Sequence, residues 1–208
     1  MVKGDMEPIA VKKFENFREY LTIYPEFRCI FIGDNGQGDV RAAEIVLNDE
    51  RYRNNLQRVY IHEIQPLNLT YAKKDITKSR DYDPICYFNT YIDAAIDAHH
   101  HQLIRATGLR RIMEAALRDF EYIPLSSWLS KTSDEKRLFS EESNRDKRVR
   151  ELNGAISRGN RVLSLDGFGS VRKLKFTARF AIGTPVVRTF LTCRQTEEKM
   201  IFLAFLTP

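Results

Sequence analysis

Phe27 to Asp39 reads FRCIFIGDNGQGD, and this stretch decides the fold class. Phe27 to Ile32 is a short apolar run rich in aromatic and β-branched side chains, which predicts a buried parallel strand. Gly33-Asp34-Asn35-Gly36-Gln37-Gly38-Asp39 then turns the chain with three glycines. Val40 to Leu47 predicts a helix, and Arg58 to Ile64 (RVYIHEI) predicts the next strand. Upstream, Val11, Phe14, Phe17 and Leu21 fall near one face of a helix over 10–23, which Pro25 ends. An α-β-α-β order with short connections argues for a three-layer α/β sheet.

Outward from this stretch the pattern changes twice. Pro66 to Pro84 is a polar, charged loop, and Phe88 to Ile104 and Leu109 to Phe120 predict helices separated by Gly108. Residues 126–160 are dense in charge and predict a linker or an exposed helix. From Arg161, the runs RVLSLD, SVRKLKF, VVRTFLT and MIFLAFL predict a small β-rich appendage over 161–206. The expected organisation is therefore an α/β domain over 9–125, a charged connector over 126–160 and the appendage.

Composition narrows the class of protein. With 43% apolar and 29% charged residues, the 208-residue chain can bury a core and keep a soluble surface. Ile201 to Leu206 is too short to span a bilayer, and Met1 to Pro8 lacks the apolar region of a secretory signal. Cys29, Cys86 and Cys193 lie far apart with no metal-type spacing, which suits reduced, buried thiols. A cytoplasmic location is the expectation. Residues 1–130 hold 17 Lys and Arg against 19 Asp and Glu, and residues 131–208 hold 16 against 9. The basic excess thus belongs to the C-terminal part, where it suits an anionic partner or a solubilising surface. Arg145, Lys147, Arg148 and Arg150 are diluted by Glu141, Glu142, Asp146 and Glu151, which argues against nucleic acid.

The chemistry centres on Asp34 and Asp39. Asp34 stands where a parallel strand ends and Asp39 five residues later, in the first turn of a helix. The carboxyl ends of parallel strands are where α/β folds place ligands. Two carboxylates on such a lip suit Mg²⁺, a hard cation that wants oxygen ligands and keeps several waters. The helix N-terminus after Gly38 favours a phosphate oxygen. The plainer reading is a glycine-rich turn with an acidic helix start. Other candidates carry less. His99, His100 and His101 point about 100° apart on a helix, so they cannot share one metal. His62 reads as a half-buried strand residue, and Trp128 as a packing anchor.

FIGDNGQGD resembles the fourth motif of the haloacid dehalogenase superfamily, GDxxxxD after an apolar strand. It looks most like the conserved domain of the actin-patch-associated phosphatidate phosphatases. There a Lys precedes a helix that ends in an aromatic residue and Pro, and an apolar strand runs into GDxGxxD. Here Lys13 opens KFENFREYLTIYP, and Pro25 precedes the strand. The likeness covers residues 9–65, weakens across 85–122 and is faint from 130 onward. It implies a haloacid-dehalogenase-like, Rossmann-like sheet and a Mg²⁺-dependent phosphatase site. Lys13 and Asp34 would be catalytic, Asp34 and Asp39 would hold Mg²⁺, and Gly36 and Gly38 would approach the phosphate. A phosphorylated substrate, such as a lipid phosphate reached by peripheral membrane contact, is implied in the same way.

The departure from the family pattern is as informative. The family's nucleophile lies in a DxDxT/V motif after an apolar strand, ahead of the Lys. Only 12 residues precede Lys13, and they contain no strand and no DxD. Downstream, Asp81-Tyr82-Asp83 follows a polar stretch, and Asp166-Gly167-Phe168 has Phe in place of the second Asp. The expectation is a truncated or degenerate phosphatase-like domain, inactive alone and weak for Mg²⁺. The coding frame upstream of Met1 is then expected to supply the missing motif. Absent central strands would leave a sheet edge open to self-association. The alternative is a non-catalytic binding module whose basic C-terminal region meets anionic lipid or nucleic acid.

Overall fold

A computed structural model describes residues 5–72, 84–124, 135–174 and 201–204. They divide into two units, one of residues 1–89 with 197–208 and one of residues 90–196.

The first unit holds the predicted α/β pattern. Helix α1, Glu7–Ile23, starts with Pro8 in its first turn, where a missing N–H costs nothing, and buries Ala10, Phe17 and Leu21. Strand β1, Cys29–Asp34, follows, then helix α2, Asp39–Asn48, and strand β2, Leu56–His62. Strand β3, Ile85–Phe88, and strand β4, Ile201–Ala204, complete a sheet of order β3-β2-β1-β4. The strands β1, β2 and β3 run parallel, and the register aligns Asp34 with His62 at their carboxyl ends. Strand β4 pairs antiparallel with β1 along Cys29 to Ile32, so this edge of β1 is covered there. Alternation along the strands sends Cys29, Phe31, Val59 and Ile61 into one core with Phe17, Ala43 and Val46 of the two helices.

Helices build the second unit. Helix α3 is Tyr91–His100, α4 is Ala106–Tyr122 and α5 is Glu135–Leu165. Their shared core includes Ile92, Leu109, Met113 and Ile156. Thr90 caps α3 by accepting from the Asp93 N–H at 3.2 Å, and its hydroxyl donates to the Asp93 carboxylate at 2.7 Å. The hydroxyl thus satisfies one of the N–H groups left open at the start of α3, and the Asp93 carboxylate holds that hydroxyl in place.

Three sequence-based expectations need correction. The helix predicted from Phe88 starts later, because Ile85–Phe88 is a strand too short to stand out between Pro84 and the cap. Residues 126–160 are not simply a linker or an exposed helix, since α5 spans 135–165 and its Val149, Ile156 and Leu163 are fully buried. The seven-residue spacing of these three side chains makes one apolar stripe, which carries the helix through RVLSL. The β-rich appendage is absent from its described parts. Residues 161–165 are helical, 168–174 form no regular structure, and 201–204 belong to the sheet of the first unit.

The segment around SVRKL fails to form a strand for a visible reason. Asn160 donates to the Val171 carbonyl at 2.8 Å and accepts its N–H at 2.7 Å. Asn153 does the same for Leu174, at 3.0 and 2.8 Å. The two asparagines stand seven residues apart on α5 and satisfy backbone groups that a strand partner would otherwise need to pair. VVRTFLT, Trp128, Cys193 and Asp81 to Asp83 lie outside the described residues. Among those described, no helix is long and apolar enough to cross a membrane.

Candidate functional site

Asp34 is the last residue of β1 and Asp39 the first of α2, so the glycine-rich turn must bring them back toward each other. One oxygen of Asp39, Oδ2, accepts the Asp34 backbone N–H at 3.1 Å. The other, Oδ1, pairs with the Lys13 ammonium. Lys13 reaches it from α1, 26 residues away in sequence, and Asp39 is buried. Asp34 turns its own Oδ1 onto the Gly36 N–H at 2.8 Å, an Asx turn that rigidifies the loop. Lys13, Asp34 and Asp39 are thereby one hydrogen-bonded constellation at the carboxyl end of the parallel sheet.

Two glycines are there for space. A Cβ on Gly33 would lie 2.6 Å from Asp39 Cγ and 2.8 Å from Asp39 Oδ2. A Cβ on Gly38 would lie 2.9 Å from the Ala10 nitrogen and 3.1 Å from the Met6 carbonyl oxygen. Gly38 thus lets the first turn of α1 rest on the start of α2. Gly38→Ala is expected to push these helices apart at a cost of about 1–3 kcal/mol, typical of overpacking. Urea unfolding of the variant beside the parent chain measures this, and an unchanged midpoint would refute the packing role. Sequence reading placed Gly36 and Gly38 as phosphate-approaching residues; the packing role of Gly38 is an addition that only the tertiary contact reveals.

The turn is clamped from below by Asn35, which is fully buried. Its amide donates to the Gln65 carbonyl at 2.7 Å and to Thr70 Oγ1 at 3.1 Å. Its oxygen accepts the N–H groups of Ile64 and Gln65 at 2.9 and 3.1 Å. Gln65 returns a bond from Nε2 to the Asn35 carbonyl at 2.6 Å. Sequence reading missed Asn35, Gln65 and Thr70. The only local signal is an Asn inside a tight turn, and nothing in the pattern links it to residues 30 and 35 positions on.

A second network ties α1 down. Arg41 holds Glu7 through Nε and Nη2 at 3.0–3.1 Å and reaches buried Glu44 at 3.4 Å. Tyr71 donates to Asp5 at 2.8 Å, and that bond pushes its phenol up to about 12. His62 is half-buried, as the sequence suggested, but ends its strand, with Nε2 3.3 Å from the Asn89 carbonyl oxygen and its ring stacked on Phe88. The three consecutive histidines do not converge. His99 pairs with Asp166 at 2.9 Å, which anchors the Asp166-Gly167 turn after α5, and His101 lies 3.6 Å from Asp97.

The residues present do not fit a resident Mg²⁺ in this arrangement. Both oxygens of Asp39 are engaged, one by a cation. Among the described residues, no group of three or more His, Cys, Asp or Glu side chains is placed to hold a metal ion. What the constellation does present is an ammonium held on Asp39 between a strand end and a helix start, with the Asp34 carboxylate turned onto the Gly36 N–H of the same turn.

No protein-family model matches this chain, and neither does any curated protein or any solved structure.

Proposed function

We propose that the first unit is the charge-stabilising half of a haloacid-dehalogenase-like phosphoryl-transfer site. The observation that supports this reading is the meeting of Lys13, Asp34 and Asp39, which the motif resemblance named together from three separate positions. A phosphoryl group in transfer spreads negative charge over its oxygens, and a positioned ammonium stabilises that charge. Lys13, oriented by Asp39, fits this task. Asp34 supplies a second carboxylate at the same lip.

Hydrolysis needs a nucleophile, and the 208 residues hold no DxDxT/V motif after an apolar strand. Another segment or chain must provide it. Lost nucleophiles lower rates by about a million-fold in other covalent enzymes. The purified chain is therefore expected to leave phosphatidate and a generic aryl phosphate unhydrolysed with Mg²⁺ present. Joining an apolar strand that ends in DxDxT ahead of α1 is expected to confer hydrolysis. Asp34→Asn should then abolish it. Asp34-dependent turnover by the 208-residue chain alone would overturn the reading.

A further inference from the structure

We infer that Lys13 is the resident cation of this site and that Mg²⁺ can occupy Asp39 only in competition with it. The inference stands on the geometry of the turn and holds whether or not the chain handles phosphoryl groups.

Asp39 is the better fixed of the two carboxylates. It is buried at the start of α2, and Gly33 leaves its carboxyl group no room to move toward β1. Its Oδ2 is committed to a backbone N–H that cannot leave without opening the end of β1. Oδ1 is the remaining oxygen, and the Lys13 ammonium sits on it. A divalent ion binding there would face a positive charge within a few ångströms, on the same oxygen. Bringing two like charges that close in a half-buried site is costly, and Mg²⁺ also gives up its waters reluctantly. Lys13 must swing away first. Its side chain is 19% exposed, so it has a route to solvent but little slack.

A consequence follows by linkage. An oxyanion that draws Lys13 onto itself frees Oδ1, so oxyanion and Mg²⁺ should help each other bind. Such coupling must be reciprocal once both ligands act through the position of Lys13.

Calorimetric titration of Mg²⁺ into the full chain tests this, alone and with saturating inorganic phosphate. Lys13→Met and Lys13→Gln are titrated in parallel, with Lys13→Arg as the variant that keeps the charge. The neutral variants are expected to bind Mg²⁺ at least about tenfold more tightly than the parent chain, and the Arg variant no more tightly. In the parent chain phosphate should raise Mg²⁺ affinity by a similar factor. Equal Mg²⁺ affinity in parent and neutral variants, including no binding by any of them, would overturn the inference. Should neither neutral variant fold, the parent chain decides, and a Mg²⁺ affinity indifferent to phosphate would overturn it. None of these outcomes depends on hydrolysis, so a failed phosphatase reading is separately visible.

Discussion

Asn35→Ala is expected to lower stability by about 3 kcal/mol or more. The substitution strips partners from the Ile64 and Gln65 N–H groups and from the Gln65 carbonyl at once. A buried polar group left without a partner costs about 1–3 kcal/mol, and Asn35, which supplies all of these partners, is fully buried. Asn35→Asp should not rescue. It keeps an acceptor for the two N–H groups but loses the donor to Gln65 and Thr70, and it adds a fourth charge near Asp34, Asp39 and Lys13. Denaturant unfolding gives the loss. Hydrogen exchange gives its place, since Ile64 and Gln65 amides should lose protection before the helices of the second unit do. A loss under about 1 kcal/mol would mean that the clamp is dispensable.

Gly33→Ala is the second large effect. The added methyl would stand 2.6 Å from Asp39 Cγ, 2.7 Å from its Cβ and 2.8 Å from Oδ2, closer than real contacts allow. Gly33 cannot retreat, because it is paired in the sheet opposite Ile61 of β2. Asp39 must move instead, and with it go the bond to the Asp34 N–H and the pair with Lys13. The cost should reach about 3 kcal/mol, the upper part of the range for overpacking, because a buried ion pair is disturbed as well. Gly36→Ala is the instructive contrast. Its Cβ would meet the far end of the Ile64 side chain at 2.6 Å, and that side chain is exposed and free to swing away. A penalty of about 1 kcal/mol or less is expected there. Unfolding midpoints rank the two variants, and an equal or reversed order would show that Asp39 is not held as described. Protection of the Asp34 amide against exchange should fall only in Gly33→Ala.

Much of the first unit was legible because its signals are local. An apolar run, three glycines, an acidic residue and an amphipathic stretch each act over a few residues, and parallel pairing follows from their alternation. Lys13, Asp34 and Asp39 were picked out by motif resemblance, and the fold brings all three together. The C-terminal third was misread for the opposite reason. RVLSLD and SVRKLKF alternate like strands over their own length, yet the stripe of Val149, Ile156 and Leu163 binds the first of them into a long helix. In the second, Val171 and Leu174 find their backbone partners on Asn160 and Asn153. Such contacts depend on residues one or more turns outside any strand-length window.

Chain sterics and side-chain alternation act locally, so a parallel α/β segment ending in an acidic, glycine-rich turn could be read from the residues alone. What surrounds the turn depends on contacts between distant segments. Lys13 could meet Asp39 only once α1 lay across the start of α2, a contact that Gly38 leaves room for. Asn35 could become a clamp only once residues 64–70 came beneath it. Whether a carboxylate faces a metal ion or an ammonium depends on which side chain arrives from elsewhere in the chain, and Coulomb attraction acts across space and not along sequence.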